Sequence, residues 1–251
     1  MNIGVIFAGG VGTRMHSKDK PKQFLDIYSK PVIIHTLEKF EECGDIDAVT
    51  ISCIEDWIPY LKELLFKYRI NKVKKVVPGG ITGQMSIYNA LVAAEEIVKE
   101  ALAEGKKVER SIALIHDGVR PRITPELISK NIECVKKYGS AITTGVVKET
   151  VVVVDEDEHI ISIPERAKCR VAKAPESFWL DEILNVQRDA IKRGTSNIYD
   201  TVTLMNEYGY KMHMIEGPND NIKVTTQEDI YTLRGIYESI ENDQLYGNRK
   251  G

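Results

Sequence analysis

The chain opens with the stretch that decides its fold, Ile3-Gly4-Val5-Ile6-Phe7-Ala8, which runs straight into Gly9-Gly10-Val11-Gly12-Thr13-Arg14. The first six residues are almost all apolar, which is typical of a strand buried on both faces. The glycines that follow let the backbone approach an anion and direct amide N–H groups at it. We therefore expect a ligand site beyond the carboxyl end of this strand.

Apolar runs of strand length alternate with stretches of helical periodicity along most of the chain. This alternation predicts an α/β fold, a Rossmann-like and mostly parallel sheet with helices on both faces, in a single domain over residues 1–251. The predicted strands cover residues 3–8, 46–54, 73–77, 111–116, 140–147 and 211–216, and the predicted helices cover 31–43, 56–69, 84–103, 125–138, 177–193, 199–208 and 226–241.

The alternation breaks at residues 150–164. Two apolar runs, Thr150–Val154 and His159–Ile163, flank the acidic stretch Asp155–Glu158 and predict a β-hairpin with a solvated turn. A projecting apolar hairpin exposes edges that must pair with something. We expect a dimerisation arm at about residues 148–168; the alternative is a hairpin folded back on its own domain.

Composition excludes several classes of protein. The chain has 34 basic and 37 acidic residues and a net charge of −3, which argues against a general nucleic-acid binder. No apolar run approaches the roughly 20 residues that span a bilayer. Its four cysteines lie at no metal-ligand spacing, and the sequence begins as a strand without a signal-peptide pattern. We expect a cytoplasmic homodimer with reduced thiols and no nucleic-acid or membrane partner.

The loop at residues 9–22 predicts a phosphate site. Met15 stands where a dinucleotide fingerprint would have its third glycine, and no Gly-Lys-Ser/Thr follows as in a Walker loop. Arg14 offers a planar guanidinium suited to phosphate, and Lys22 is close enough in the chain to reach the same triphosphate. Lys18 and Lys20 are interpreted as solvated surface residues, and a plain tight turn is the alternative for the glycines.

Several motifs together resemble one family. The run Gly9-Gly10-x-Gly12-x-Arg14-Met15, followed by Pro21-Lys22-Gln23-Phe24, resembles the signature of the cytidylyltransferases that act on polyol phosphates, such as 2-C-methyl-D-erythritol 4-phosphate or ribitol 5-phosphate. Further matches follow in the family's order over nearly the whole chain: Gly79-Gly80 with Ser86, His116-Asp117-Gly118-Val119-Arg120-Pro121, Arg166, and Asp220-Asn221-Ile222-Lys223-Val224-Thr225.

The resemblance implies roles for individual residues and a nucleotidyltransferase type of fold. Arg14, Lys22 and Lys223 would be catalytic, Asp117 would bind Mg²⁺, and Arg166 and Lys223 would hold the phosphate of the alcohol. Thr150 would reach the substrate bound by the partner subunit. The nucleotide CTP would be bound by Ala8, Gly9, Gly10, Gly12, Thr13, Gly80, Ser86 and Arg120.

The chemistry agrees with these roles. A substrate phosphate must attack the α-phosphorus of CTP, so two anions must meet, and catalysis is mainly positioning and charge neutralisation. No protein nucleophile is required. Asp117 follows a buried strand, and its carboxylate suits Mg²⁺, which also binds substrate phosphates. His116 beside it is interpreted as a core residue, and Asp200 as a helix N-cap or a wall of the site.

The sequence departs from the family pattern in two places. Ile81 stands where the family has an acidic residue, and an arginine expected shortly afterwards is missing, which leaves Thr82 or Gln84 to replace those contacts. The family's Thr-Pro-Gln is here Ala174-Pro175-Glu176. We expect Glu176 to bring a negative charge to the acceptor site and Lys173 to compensate for it.

Three functions remain open on the sequence alone. The leading hypothesis is transfer from CTP to a polyol phosphate, with ribitol 5-phosphate favoured over 2-C-methyl-D-erythritol 4-phosphate or another polyol phosphate such as glycerol phosphate. A sugar-1-phosphate nucleotidyltransferase that uses UTP or GTP is a second class. A non-catalytic nucleotide-binding homologue is the third.

Overall fold

The structure, a computed structural model, describes residues 1–10, 20–194 and 200–246. In chain order the elements are β1 (Asn2–Ala8), β2 (Asp26–Ile27), β3 (Lys30–Pro31), α1 (Val32–Glu42), β4 (Ala48–Cys53), α2 (Ile58–Lys67), β5 (Val73–Pro78), α3 (Gly83–Ala103), β6 (Ile112–Asp117), α4 (Pro125–Tyr138), β7 (Ser140–Val146), β8 (Val153–Val154), β9 (Ile160–Ser162), β10 (Arg170–Trp179), α5 (Leu180–Lys192), α6 (Thr201–Glu207), β11 (Met214–Glu216) and α7 (Gln227–Tyr246).

The central sheet has seven strands within the described residues, in the order β11-β7-β10-β6-β1-β4-β5. Strands β6, β1, β4 and β5 run parallel to one another, and β11 runs parallel to β7. Only β10 is antiparallel to the strands beside it. The predicted mostly parallel α/β sheet is therefore confirmed. No helix in the described part of the chain is long and apolar enough to cross a membrane.

Burial on both faces explains why β1 is apolar throughout. Successive side chains of a strand point to opposite faces. Ile3 and Val5 pack into the cluster formed with α3 and α5, whereas Ile6 and Ala8 pack into the cluster formed with α1 and α4. Both faces are thus closed by helices, and the carboxyl edge of the sheet is left for ligands.

One predicted boundary is wrong because a strand was missed. The helix expected from residue 177 begins at Leu180, and Arg170–Trp179 forms the central strand β10 instead. Pro175 argued against a strand in this segment, because proline in a central strand removes a ladder hydrogen bond. A bulge accommodates it: β10 advances four residues from Ala172 to Glu176 while β7 advances two from Thr144 to Ile142.

The hairpin of β8 and β9 projects as predicted. It forms its own two-stranded sheet, and within the described chain it is not hydrogen-bonded to the central sheet. Its turn is closed by the Asp155 carboxylate, which accepts hydrogen bonds from the backbone N–H groups of Asp157 and His159. Exposure of its aliphatic side chains disfavours the alternative in which the hairpin folds back on its own domain. The exposed residues are Val152, Val153, Val154, Ile160, Ile161 and Ile163.

A short turn after the first loop is anchored in the core. Residues Lys22–Phe24 form one turn of 3-10 helix after Pro21. The Phe24 ring is buried and stacks on Trp57 with ring centroids 5.0 Å apart. The Gln23 side-chain amide donates to the Ala8 carbonyl at 2.7 Å. These two neighbours fix the backbone that carries Lys22.

We predict that Phe24→Ala lowers the free energy of unfolding by about 3–5 kcal/mol, because it removes a fully buried aromatic ring and leaves a cavity. Equilibrium urea unfolding measures the change. Phe66→Ala is the matched control: that ring is 89% exposed, so its loss should change stability by less than about 0.5 kcal/mol. Equal effects of the two variants would contradict the assigned packing.

Candidate active site

Two cavities open at the carboxyl edge of β1 and β6 and share Phe7, Gly83, Asp117 and Lys223. The glycine-loop cavity, about 500 Å³, is further lined by Ala8, Gly9, Gly10, Lys22, Gln23, Gly80, Ile81, Thr82, Ser86 and Val119. The β10 cavity, about 340 Å³, is further lined by Ile87, Ile115, Arg120, Ala172, Lys173, Ala174, Glu176, Asp200, Thr201, Val202 and Thr203.

Asp117 lies at the junction of the two cavities. It is buried, with one carboxylate oxygen 2.6 Å from Lys223 Nζ and the other accepting from Arg120 Nε at 2.7 Å. Burial by itself raises the pKa of Asp117, but the charges of Lys223 and Arg120 and their hydrogen bonds outweigh it and bring the pKa to about 2. The carboxylate is therefore ionised at neutral pH and holds two cations at the cleft.

Lys223 is placed by the segment that follows β11. The side-chain amide of Asn221 donates to the carbonyl oxygen of Ala174 in the bulge of β10. The backbone N–H of Val224 donates to the carbonyl oxygen of Val119, just after β6. These contacts on both sides of Lys223 hold its backbone over the end of β6, so that its ammonium group can reach Asp117.

Glycines after β1 and after β5 leave room for a ligand to approach the backbone. A side chain on Gly9 would place its Cβ 2.7 Å from Ser86 Oγ, and one on Gly80 would place its Cβ 2.2 Å from Met85 Cβ. Ser86 Oγ accepts from the Gly80 N–H and donates to the carbonyl oxygen of Thr82. Ser86 thus stabilises the loop at Gly80 and Thr82, and the predicted contact of Ser86 with cytidine depends on the position of that loop.

The polar substitutes suggested near Ile81 behave differently. Ile81 is fully exposed at the rim of the cavity. Thr82 lines the cavity and caps α3, because its side chain accepts from the Met85 N–H. Gln84 does not fit: it is buried, its amide donates to Gln187, and it is not among the described residues that line either cavity.

The structure brings together only part of the predicted site. Gly12, Thr13 and Arg14 lie outside the described residues. Thr150 and Arg166 are exposed on the arm and are absent from the described lining of both cavities. The Arg166 guanidinium donates to the carbonyl oxygen of Lys148 there. The catalytic, nucleotide-binding and acceptor-binding roles of these residues stay predictions.

His116 has the placement of a core histidine. It is fully buried, its ring is 5.6 Å from that of Phe40, and its Nε2 lies 3.2 Å from the carbonyl oxygen of Arg120. Burial lowers the pKa of His116 to about 4, so the ring is neutral at pH 7. Because it alternates with Asp117 along β6, it faces away from the cavities.

Glu176 differs from the expectation of a charged residue. Burial is the main cause that raises its pKa, and the nearby charges of Asp117 and Asp200 add to it, so that the pKa reaches about 8. The carboxyl is therefore mainly protonated at neutral pH. Lys173 does not compensate for it, because its ammonium group donates to the backbone carbonyls of Pro218 and Asn219.

Asp200 fulfils both roles considered for it. Its carboxylate accepts from the Thr203 N–H at 2.7 Å and so caps α6, and the residue also lines the β10 cavity. We did not expect Phe7 or Thr201 in the site. Alternation along β1 places Phe7 on the face of Asp117, and its ring lies 5.7 Å from Lys223 Nζ. No local sequence pattern marks Thr201. It lines the β10 cavity as the first residue of α6, directly after the capping residue Asp200.

A model of the IspD family, 2-C-methyl-D-erythritol 4-phosphate cytidylyltransferase, matches residues 3–238. Among curated proteins, a ribitol-5-phosphate cytidylyltransferase of Streptococcus agalactiae serotype V is 47% identical over 98% of this chain and 99% of its own. One of Vibrio parahaemolyticus is 49% identical over 98% and 100%. A 2-C-methyl-D-erythritol 4-phosphate cytidylyltransferase of Clostridium botulinum is 34% identical over 95% and 98%.

Solved structures agree in fold. The 4-diphosphocytidyl-2C-methyl-D-erythritol synthase of Anaerococcus prevotii superposes with a TM-score of 0.77 at 25% identity, covering 94% of this chain and 96% of that one. The Francisella tularensis enzyme, with a TM-score of 0.73 at 21% identity over 94% and 99%, supports the fold alone. The chain therefore belongs to the 2-C-methyl-D-erythritol 4-phosphate cytidylyltransferase (IspD) family and is a nucleotidyltransferase of the cytidylyltransferase type.

Proposed function

We propose that this enzyme transfers the cytidylyl group of CTP to ribitol 5-phosphate and releases pyrophosphate and CDP-ribitol. The junction of the two cavities at Asp117 and Lys223 carries the proposal, because it offers one compartment to each substrate with cations between them. The choice of ribitol 5-phosphate is supported by the relatives of that name at 47–49% identity, against 34% for the 2-C-methyl-D-erythritol 4-phosphate enzyme of Clostridium botulinum.

The reaction needs little covalent chemistry from the protein. A phosphate oxygen of ribitol 5-phosphate forms a bond to the α-phosphorus of CTP, while the bond from that phosphorus to the bridging oxygen breaks and pyrophosphate leaves with the electron pair. Lys22 would neutralise the triphosphate from the glycine-loop cavity, with Arg14 as its predicted companion. Lys223 would draw the acceptor phosphate to the junction. Such positioning of two anions supplies most of the catalysis.

We also propose that Mg²⁺ assists. Among the described residues, no group of three or more His, Cys, Asp or Glu side chains could hold a metal ion. The ionised, buried carboxylate of Asp117 fits the other usual arrangement, in which one or two carboxylates and the substrate phosphates share the ion. When bound, Mg²⁺ would neutralise phosphate charge. Lys223 and Arg120 keep Asp117 ionised.

The arm supports a homodimer in which each subunit completes the other's acceptor site. Its aliphatic side chains are exposed in the single chain, and exposed patches of this kind mark interaction surfaces. Thr150 sits on this arm and would reach the ribitol 5-phosphate bound by the partner subunit, while Arg166, on the same arm, would hold the phosphate of the alcohol. We further infer a cytoplasmic location, since all four cysteines are free thiols.

The substrate assignment is tested by incubating the protein with Mg²⁺ and each nucleoside triphosphate against a panel of polyol phosphates, with pyrophosphate release as the measurement. We expect CTP with ribitol 5-phosphate to give the highest kcat/KM. A preference for 2-C-methyl-D-erythritol 4-phosphate would identify that compound, instead of ribitol 5-phosphate, as the acceptor. Absence of release with CTP and every acceptor would refute the proposal.

Lys22→Ala should reduce kcat/KM by about 100–1,000-fold, the usual loss when one charge-stabilising group is removed from a transition state. Steady-state pyrophosphate release measures it. Lys20→Ala is the control, because Lys20 makes a weak 3.9 Å ion pair with Asp26 at the surface. Circular dichroism checks that both variants fold. Equal activity of the two variants would remove the role assigned to Lys22.

Sedimentation equilibrium should give a dimer of twice the 28.3 kDa chain mass. Ile161→Asp should shift it to monomer, because it puts a charge on the exposed apolar side chains of the arm, and it should also raise KM for ribitol 5-phosphate. Glu156→Gln in the acidic turn serves as the control. A wild-type monomer at micromolar concentration would rule out both the dimer and the role of Thr150 across subunits.

A further inference from the structure

Glu176 occupies an unusual position in the β10 cavity. It lies in the middle of β10, paired in register with Ile115 of β6, and both residues line the cavity. Side chains of directly paired residues share one face of a sheet, so Glu176 and Asp117, two residues beyond Ile115, lie on the same face. The bulge at Lys173–Pro175 immediately precedes Glu176, where strand bulges commonly re-aim side chains at a site.

The two ends of the cleft carry different chemistry. Lys22 lines the glycine-loop cavity and Lys223 lies at the junction of the two cavities, where anionic phosphates would be attracted. The walls of the β10 cavity carry the carboxyl groups of Glu176 and Asp200 instead, with the hydroxyl of Thr201 between strand and helix. The Asp200 carboxylate on this wall would repel a phosphate, whereas the hydroxyl groups of a polyol can donate to carboxyl oxygens and accept from the Thr201 hydroxyl.

This charge pattern sets the direction of the acceptor. Its phosphate would lie at Lys223, near the α-phosphorus, and its hydroxylated carbon chain would extend into the β10 cavity. Phe7 and Ile115 offer apolar surface to the carbon atoms on the same face. Arg120 also lines the cavity but is ion-paired with Asp117, and the Lys173 ammonium group is directed to the backbone carbonyls of Pro218 and Asn219.

We propose that Glu176 is a specificity-determining residue of the acceptor site, whose carboxyl group hydrogen bonds to a hydroxyl of the polyol chain. This inference rests on the proposed transfer to a polyol phosphate and adds the group that reads the alcohol. It assigns a function to the replacement of the family's Thr-Pro-Gln by Ala174-Pro175-Glu176.

The surroundings of Glu176 support this role. The charged and hydroxyl-bearing groups that share the cavity with it include Asp117, Arg120, Lys173, Asp200, Thr201 and Lys223. Burial and the two carboxylates raise the pKa of Glu176 to about 8. A carboxyl group accepts a hydrogen bond from a substrate hydroxyl and, when protonated, also donates one.

The test is a cycle that combines enzyme variants with acceptors lacking single hydroxyl groups. Glu176→Leu should raise KM for ribitol 5-phosphate by about 10–100-fold and leave KM for CTP unchanged, because a site built to hydrogen bond a hydroxyl loses discrimination when its partner is removed. Glu176→Gln should keep KM for the acceptor within about threefold, since the amide also offers a donor and an acceptor.

One deoxy analogue of ribitol 5-phosphate should bind the wild type more weakly and lose that penalty in Glu176→Leu, which identifies the hydroxyl that Glu176 binds. Glu133→Leu, on the exposed side of α4, is the matched control. If Glu176→Leu does not fold, Glu176→Met carries the same cycle. Penalties that are unchanged for every analogue, or a rise in KM for CTP equal to that for the acceptor, would overturn the proposal.

The result of this cycle can be interpreted independently of the result of the substrate panel. Should the wild type prefer another polyol phosphate, the same cycle is run with deoxy analogues of that acceptor, so an error in the acceptor's name leaves the role of Glu176 open to refutation. Absence of turnover with any polyol phosphate would overturn both proposals together.

Discussion

The buried carboxylate of Asp117, held between Lys223 and Arg120, is the interaction on which the site depends. Burying a carboxylate without partners would cost several kcal/mol, so the charge persists only because two cations compensate for it. Those cations come from two different segments, the turn after β6 and the segment after β11. One ionised group therefore joins distant parts of the chain at the boundary between the two cavities.

The alternation of side chains in the parallel strands determines which residues can share this boundary. Asp117 pairs in register with Phe7 of β1, so both project from the same face, while His116 turns into the opposite core. The glycines at the end of β1 then leave room beside that face. The site is thus a consequence of where apolar strands end, and its phosphate chemistry follows from the groups found there.

The sequence predicted the parallel sheet and the hairpin of β8 and β9, because each has a local signature: apolar runs for the sheet, and an acidic turn between apolar stretches for the hairpin. It failed at β10, where Pro175 contradicts a central strand unless a bulge is present, and a bulge depends on the neighbouring strands. It also failed for Glu176 and Lys173. Their protonation and contacts are set by Asp117, Asp200 and the backbone near Pro218, which are distant along the chain.

The carboxyl groups of Asp117 and Glu176 lie on one face of the sheet, and their different surroundings determine their protonation states. The pKa of Asp117 falls to about 2 because cations contact both of its oxygens, whereas that of Glu176 rises to about 8 because it is buried and faces other carboxylates. Around neutral pH the pair therefore carries one negative charge. Replacement of a neutral glutamine by glutamate at position 176 then adds little repulsion against two phosphate-bearing substrates. Since ionisation of Glu176 would add that repulsion, the desolvation that raises its pKa in the β10 cavity is what makes the substitution compatible with cytidylyl transfer.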